Sequence, residues 1–120
     1  MTHPTFDRDG YPTDETLAYI KNWNDLENVQ GWMDFCLDAM HDVYARVDRR
    51  ENMVYIATGG WSGNEDVINA MSQNILWRLC WRMSVIGGAY ILRVGQGDDP
   101  ITEHGFDVIR NWFNEAGEKE

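Results

Sequence analysis

The spacing of apolar positions divides the chain into stretches of two different periods. Leu17, Ile20 and Trp23 recur at helical intervals behind Pro12-Thr13-Asp14-Glu15, which predicts a first helix capped by Thr13. The acids of its first turn suit the positive end of the helix dipole. Asn24 and Glu27 are spaced like a capping box, and a second helix is expected from Glu27 to Asp42. Val29, Trp32, Met33, Cys36, Ala39 and Met40 make its apolar stripe, with Asp34, Asp38 and Asp42 in one row on the other side. The period then changes to two. Val43, Ala45 and Val47 alternate with Tyr44, Arg46 and Asp48, and Val54 and Ile56 alternate with Tyr55 and Ala57. These read as a hairpin of two strands, 43–48 and 52–58, turned by Arg49-Arg50-Glu51.

Helical spacing returns over Gly63 to Met83. Val67, Ile68, Met71, Ile75, Leu76, Leu79, Cys80 and Met83 give a broad apolar surface, widened by Trp77 and Trp81. Asn74, Arg78 and Arg82 lie four apart as its polar strip, so this third helix is expected at the centre of the core. Gly87-Gly88 ends it, and Ala89 to Val94 alternates as a third strand. After a loop over 95–99, a last helix is expected from Pro100 to Glu115, turning Ile101, Val108, Ile109, Trp112 and Phe113 inward. The fold class is therefore α+β: a small three-stranded sheet, made of a hairpin plus one strand after a long helix, packed with about four helices. A crossover through the long helix would make strand three parallel to strand two, and an all-antiparallel sheet fits the same pattern. Residues 1–12 read as an irregular arm, 13–116 as one α+β domain and 117–120 as a frayed end.

Composition narrows the setting. A chain of 120 residues is long enough for one domain with its own core. The formal net charge of −10 argues against direct nucleic-acid binding, which needs a basic face. It suits a protein that meets a basic partner, or a weak acidic imitation of a phosphate backbone. Cys36 and Cys80 sit inside helical apolar patterns without metal or redox spacing, so buried free thiols and a reducing compartment are expected. The longest apolar-rich run, 75–86, is interrupted by Arg78 and Arg82, and the first residues lack a signal pattern. A cytoplasmic protein without a membrane partner is the expectation, with homo-oligomerisation left open.

Candidate chemistry concentrates at Thr58-Gly59-Gly60-Trp61-Ser62-Gly63-Asn64-Glu65, where a strand turns into a helix. Such a turn can aim backbone N–H groups at an anion, helped here by Arg78 or Arg82. A phosphate loop wants Lys and Ser or Thr where this chain has Asn64 and Glu65. Ser62 and Glu65 are instead spaced as a capping box. Gly60-Trp61-Ser62-Gly63 sets a serine between glycines, one position short of a nucleophile elbow. Asp7-Arg8-Asp9-Gly10 resembles part of a calcium loop but lacks the closing carboxylate. His3, His41 and His104 are not spaced with one another as metal ligands. No cofactor, metal or catalytic set is expected. Trp61 is the side chain that a turn could present as an anchor for a partner.

Gly10-Tyr11-Pro12-Thr13-Asp14-Glu15-Thr16-Leu17, the run Thr58 to Glu65 and Gly87-Gly88-Ala89-Tyr90 together resemble small acidic proteins encoded by bacteriophages and prophages. The resemblance implies expression in the cytoplasm of a bacterial host and assigns no functional residue. The leading expectation is a non-enzymatic accessory protein that binds a host or phage protein. Gly60, Trp61, Ser62 and Asn64 are its candidate binding residues, with Asp34, Asp38 and Asp42 as an acidic docking row. A small-ligand or nucleotide module built on Gly59 to Glu65, with Arg78 and Arg82, is the second reading. The acidic mimic that inhibits a DNA-binding enzyme is the third.

Overall fold

Thr13 opens the first helix as its position predicts: its hydroxyl accepts the Thr16 N–H at 3.3 Å, and α1 (Asp14–Asn22) follows. The computed structural model describes residues 2–50, 53–85 and 88–94. Over these, α1 is followed by α2 (Val29–Asp38), β1 (Arg46–Arg50), β2 (Met53–Ala57), α3 (Ser62–Ser72), α4 (Ile75–Cys80), β3 (Trp81–Val85) and β4 (Ala89–Arg93). The strands form one antiparallel sheet in the order β1-β2-β4-β3. The fold is α+β, but the sheet has four strands, not three.

The extra strand comes out of the stretch that reads as one helix over 63–83, which the structure corrects at two points. At Asn74 the backbone turns extended (φ −96°, ψ 142°) and the helix stops. The Asn74 carboxamide then serves two helices at once. Its oxygen accepts the Leu76 N–H at 2.9 Å and starts α4, while its nitrogen donates to the carbonyls of Ile20, Lys21 and Trp23 at the end of α1. A residue expected on the polar strip of one long helix is thus a buried cap between two, because the last carbonyls of α1 need a donor. At Trp81 the chain turns extended again. Trp81, Met83 and Val85 alternate with Arg82 and Ser84, a period of two hidden inside the helical spacing. That strand exists because β4 lies beside it, pairing Met83 with Ile91 and Val85 with Ala89. The local pattern fits helix and strand alike and does not decide between them. The same pairing settles the third predicted strand: β4 runs antiparallel to β2, so the parallel crossover does not occur.

Smaller shifts matter for the site. Asn28, not Asn24 with Glu27, caps α2, accepting the Gly31 N–H at 3.0 Å. The helix ends at Asp38, so Asp42 lies beyond it and the three aspartates do not form one helical row. Val43 and Tyr44 precede the first strand instead of opening it. The N–H groups of Tyr44 and Ala45 bond the His41 carbonyl, and β1 begins at Arg46.

One sheet face, with Val54, Ile56 and Leu92, packs on a helical layer carrying Ile20, Trp32, Met33, Cys36, Val67, Met71, Leu76 and Cys80. Full burial of such side chains stabilises the fold by roughly 1.5–3 kcal/mol each. The Trp32 indole N–H finds the Ile20 carbonyl at 3.0 Å, so even this large ring is buried with its polar atom satisfied. Met53 and Ile91 occupy the other face with Tyr55 and Met83. Cys36 and Cys80 are free and buried. No helix among the described residues is long and apolar enough to cross a membrane. Gly87, the loop over 95–99, the helix expected over 100–115 and the end over 117–120 lie outside the described residues.

Candidate functional site: an aromatic cluster on the glycine-rich turn

The turn is built from Thr58 outward. Its N–H donates to the Gly88 carbonyl at 3.1 Å, continuing the sheet by one bond beyond β2. Its hydroxyl donates to Glu65 Oε1 at 2.7 Å and accepts the Gly60 N–H at 3.3 Å. Gly59 and Gly60 then take positive φ of 69° and 75°, which L side chains adopt only with strain. Gly59 has a second reason to be glycine. A Cβ there would stand 2.0 Å from the Tyr44 carbonyl oxygen, so the turn passes directly against the loop after α2.

Asn64 ties the same two segments together. Its Oδ1 accepts the His41 N–H at 2.7 Å and its Nδ2 donates to the Thr58 carbonyl at 3.0 Å. The side chain is fully buried. The capping box expected of Ser62 and Glu65 is absent. Trp61 is the cap residue of α3 and gives no side-chain cap bond; Glu65 is held by Thr58, and the Ser62 hydroxyl meets the Tyr11 hydroxyl at 2.9 Å. The long-range partners won because both side chains can reach them without giving up the helix start: the Asn64 and Glu65 N–H groups both bond the Trp61 carbonyl.

Trp61 is half-buried at the centre of three other rings. Tyr11 from the N-terminal arm lies 4.7 Å away between centroids, His41 5.1 Å away edge-on, and Tyr44 5.3 Å away and stacked at 22°. His41 and Tyr44 also touch, at 5.1 Å. The indole folds over Gly63, where a Cβ would strike the ring at 2.3 Å. Trp61 is thus neither a lid on the sheet nor a free-standing anchor. It is locked by its neighbours while one part of it faces water. Its indole N–H makes no bond to a described group, and no buried side-chain polar atom among the described residues lacks a partner, so this donor is open to solvent. Tyr44, stacked on it, is 50 % exposed, and Val43, which precedes Tyr44 in the chain, is 74 % exposed.

The remaining predicted residues are divided by the fold. Gly60, Trp61 and Ser62 sit together, and Asp42 follows His41 directly, its side chain fully exposed and 3.9 Å from the imidazole Nδ1. That nitrogen accepts the Val43 N–H at 3.3 Å. Asp38 is exposed at the end of α2, whereas Asp34 is occupied by an ion pair with Arg49 on β1. Arg78 is exposed on α4, and the Arg82 guanidinium donates to the carbonyls of Leu79 and Trp81. Through Ala89, Val85 is the β3 residue level with Ala57 and the turn, which puts Arg82 toward the far end of β3. The sheet register therefore sets Arg82 apart from the turn, and the turn's own acid, Glu65, faces inward to Thr58. Tyr11, His41, Val43 and Tyr44 were not readable as parts of one site. Of these only Tyr11 carries a sequence signal, an aromatic directly after glycine as in Gly60-Trp61.

The titratable groups near the core are not poised for reaction. Burial, and then Cys80, pushes the Cys36 thiol well above its ordinary range; burial raises Cys80 to about 11 against a smaller opposing pull from Arg82. Such thiols stay protonated and weakly nucleophilic. Burial, followed by the Glu65 carboxylate, raises the Tyr90 phenol. No group of three or more His, Cys, Asp or Glu among the described residues is arranged to hold a metal ion. No protein-family model, curated protein or solved structure matches the chain.

Proposed function

We propose that this is a non-enzymatic accessory protein, of the small acidic phage-encoded kind its sequence resembles, that docks a basic protein partner on the surface around Trp61. The observation that carries the reading is the ring cluster. Trp61 is held by Tyr11, His41 and Tyr44 while its indole N–H bonds no described group, and the exposed Tyr44, with Val43 before it in the chain, extends the apolar surface. A rigid tryptophan and tyrosine with a free donor are the features of a binding hot spot, because little entropy is lost on contact. Charge supports a basic partner. Of the described acids only Asp48 lies on a strand, whereas Arg46, Arg49, Arg50, Arg82 and Arg93 all do. Among the described residues the other acids therefore lie on the arm, helices and loops, and Asp42 stands beside His41 of the ring cluster, where it favours a basic surface.

The test is capture from a bacterial host lysate at two salt concentrations with wild type, Trp61→Ala and Val43→Glu. Val43 is exposed, so its variant keeps the fold and isolates the surface. A partner retained by wild type and lost by both variants, more weakly held at high salt, supports the reading. Capture unchanged by either variant sinks it. The same polarity of charge favours the acidic mimic as a second reading. That one differs in outcome: a DNA-binding protein would be held by wild type and by Trp61→Ala alike, and released by salt.

A further inference from the structure

The segment from Asn22 to Asn28 joins α1 to α2 and borders an open surface cleft of about 300 Å³, lined by Tyr19, Asn22, Trp23, Asn24, Asp25 and Asn28. This is the lower end of the range for small-molecule sites. Two aromatic rings form its apolar part, Tyr19 and Trp23, set edge to face with centroids 5.6 Å apart. The backbone behind them is fixed from the core, by Asn74 on the carbonyls of Ile20, Lys21 and Trp23 and by the Trp32 indole on Ile20. The rim is fixed as well. The Trp23 indole N–H donates to the Asp25 carbonyl at 3.0 Å, the Glu27 N–H to Asp25 Oδ1 at 3.2 Å, and the Gly31 N–H to Asn28 Oδ1 at 3.0 Å.

With those bonds made, a specific set of polar groups is left over. The carboxamides of Asn22 and Asn24 bond no described group, and neither do the Asn28 amide nitrogen and the second Asp25 carboxylate oxygen. They surround a preorganised concavity, which lowers the cost of binding. No described cationic side chain lines the cleft, and an anion would meet the Asp25 carboxylate. A wholly apolar guest would strip water from the amides without replacing it. A carboxamide offers a donor and an acceptor together, as vicinal hydroxyl groups do in return. The two rings offer an apolar face to aliphatic C–H groups.

We propose that this cleft, between the end of α1 and the start of α2, is a binding site for a neutral saccharide of one or two rings. It is separate from the Trp61 surface and does not depend on it. The experiment is a titration of the isotopically labelled full chain with glucose, N-acetylglucosamine and maltose, followed by amide and indole resonances. The expected result is saturable movement of the Trp23 indole signal and of the Asn22, Asn24 and Asn28 side-chain amides, at millimolar sugar. Asn24→Ala, which breaks no internal bond, weakens the affinity roughly fivefold and leaves the rest of the spectrum in place. Three outcomes overturn the proposal. No saccharide moves these signals at tens of millimolar; an Asn22→Ala/Asn24→Ala variant binds as well as wild type; or choline moves them and the sugars do not, the mark of a cation held over Trp23 by Asp25.

Discussion

Gly59 and Gly60 look alike in the sequence and differ sharply in the structure. Both take positive φ, but only Gly59 faces the Tyr44 carbonyl oxygen, at 2.0 Å from an added Cβ; nothing lies within 4 Å of one added at Gly60. Gly60→Ala carries the backbone strain alone, about 1–2 kcal/mol. Gly59→Ala adds a collision with backbone, so its loss of stability in urea unfolding is expected to exceed that of Gly60→Ala by about 2 kcal/mol or more. Equal losses would contradict the close approach. The residue scale also explains why Asn64, a surface candidate from sequence, is spent on the interior. Its two polar atoms join His41 to Thr58, and that bond pair holds His41 and Tyr44 against Trp61.

Among the elements, α1, α3 and α4 meet through one side chain. Asn74 ends the α3 segment, starts α4 and supplies a donor to three carbonyls at the end of α1. Asn74→Ala leaves those buried acceptors and the Leu76 N–H without a side-chain partner. The expected cost is roughly 2–4 kcal/mol, with faster hydrogen exchange at Leu76 than at the α2 amides. A cost below about 0.5 kcal/mol would mean that water replaces the carboxamide. α1, α2, α3 and the first two strands were legible because their apolar periods run for several residues, whereas the break that sets α4 apart was not. β3 was not, since Trp81, Met83 and Val85 also fit the end of a helix, and only β4 beside it decides the matter.

For the whole molecule, the two buried thiols set a limit on alkaline stability. A folded-state pKa raised above the unfolded value means that the unfolded chain loses its proton first. The stability is fully present below the ordinary value of 9.0 and is lost as pH rises toward about 11, the value of Cys80. For Cys80 alone the loss approaches about 3 kcal/mol, and Cys36 adds in the same direction. Urea unfolding at about pH 8 and about pH 10.5 should show this loss in wild type and a smaller one in a Cys36→Ala/Cys80→Ala variant. A loss of the same size in both would assign it to other groups. At the same scale, the separation of acids from strand arginines among the described residues predicts that partner capture falls with salt, since a field spread over several elements is screened within about 10 Å at moderate salt. The sequence by itself determined the α+β class, the starts of α1 and β2, the buried cysteines and the turn around Trp61. Each rests on neighbours close in the chain: a capping hydroxyl, a period of two or of three to four, a glycine pair. Tertiary structure alone decided the fourth strand, the double role of Asn74 and the ring cluster. Those depend on groups as distant along the chain as Tyr11, Tyr44 and Trp61, or Ile20 and Asn74, and local spacing holds no record of which of them meet.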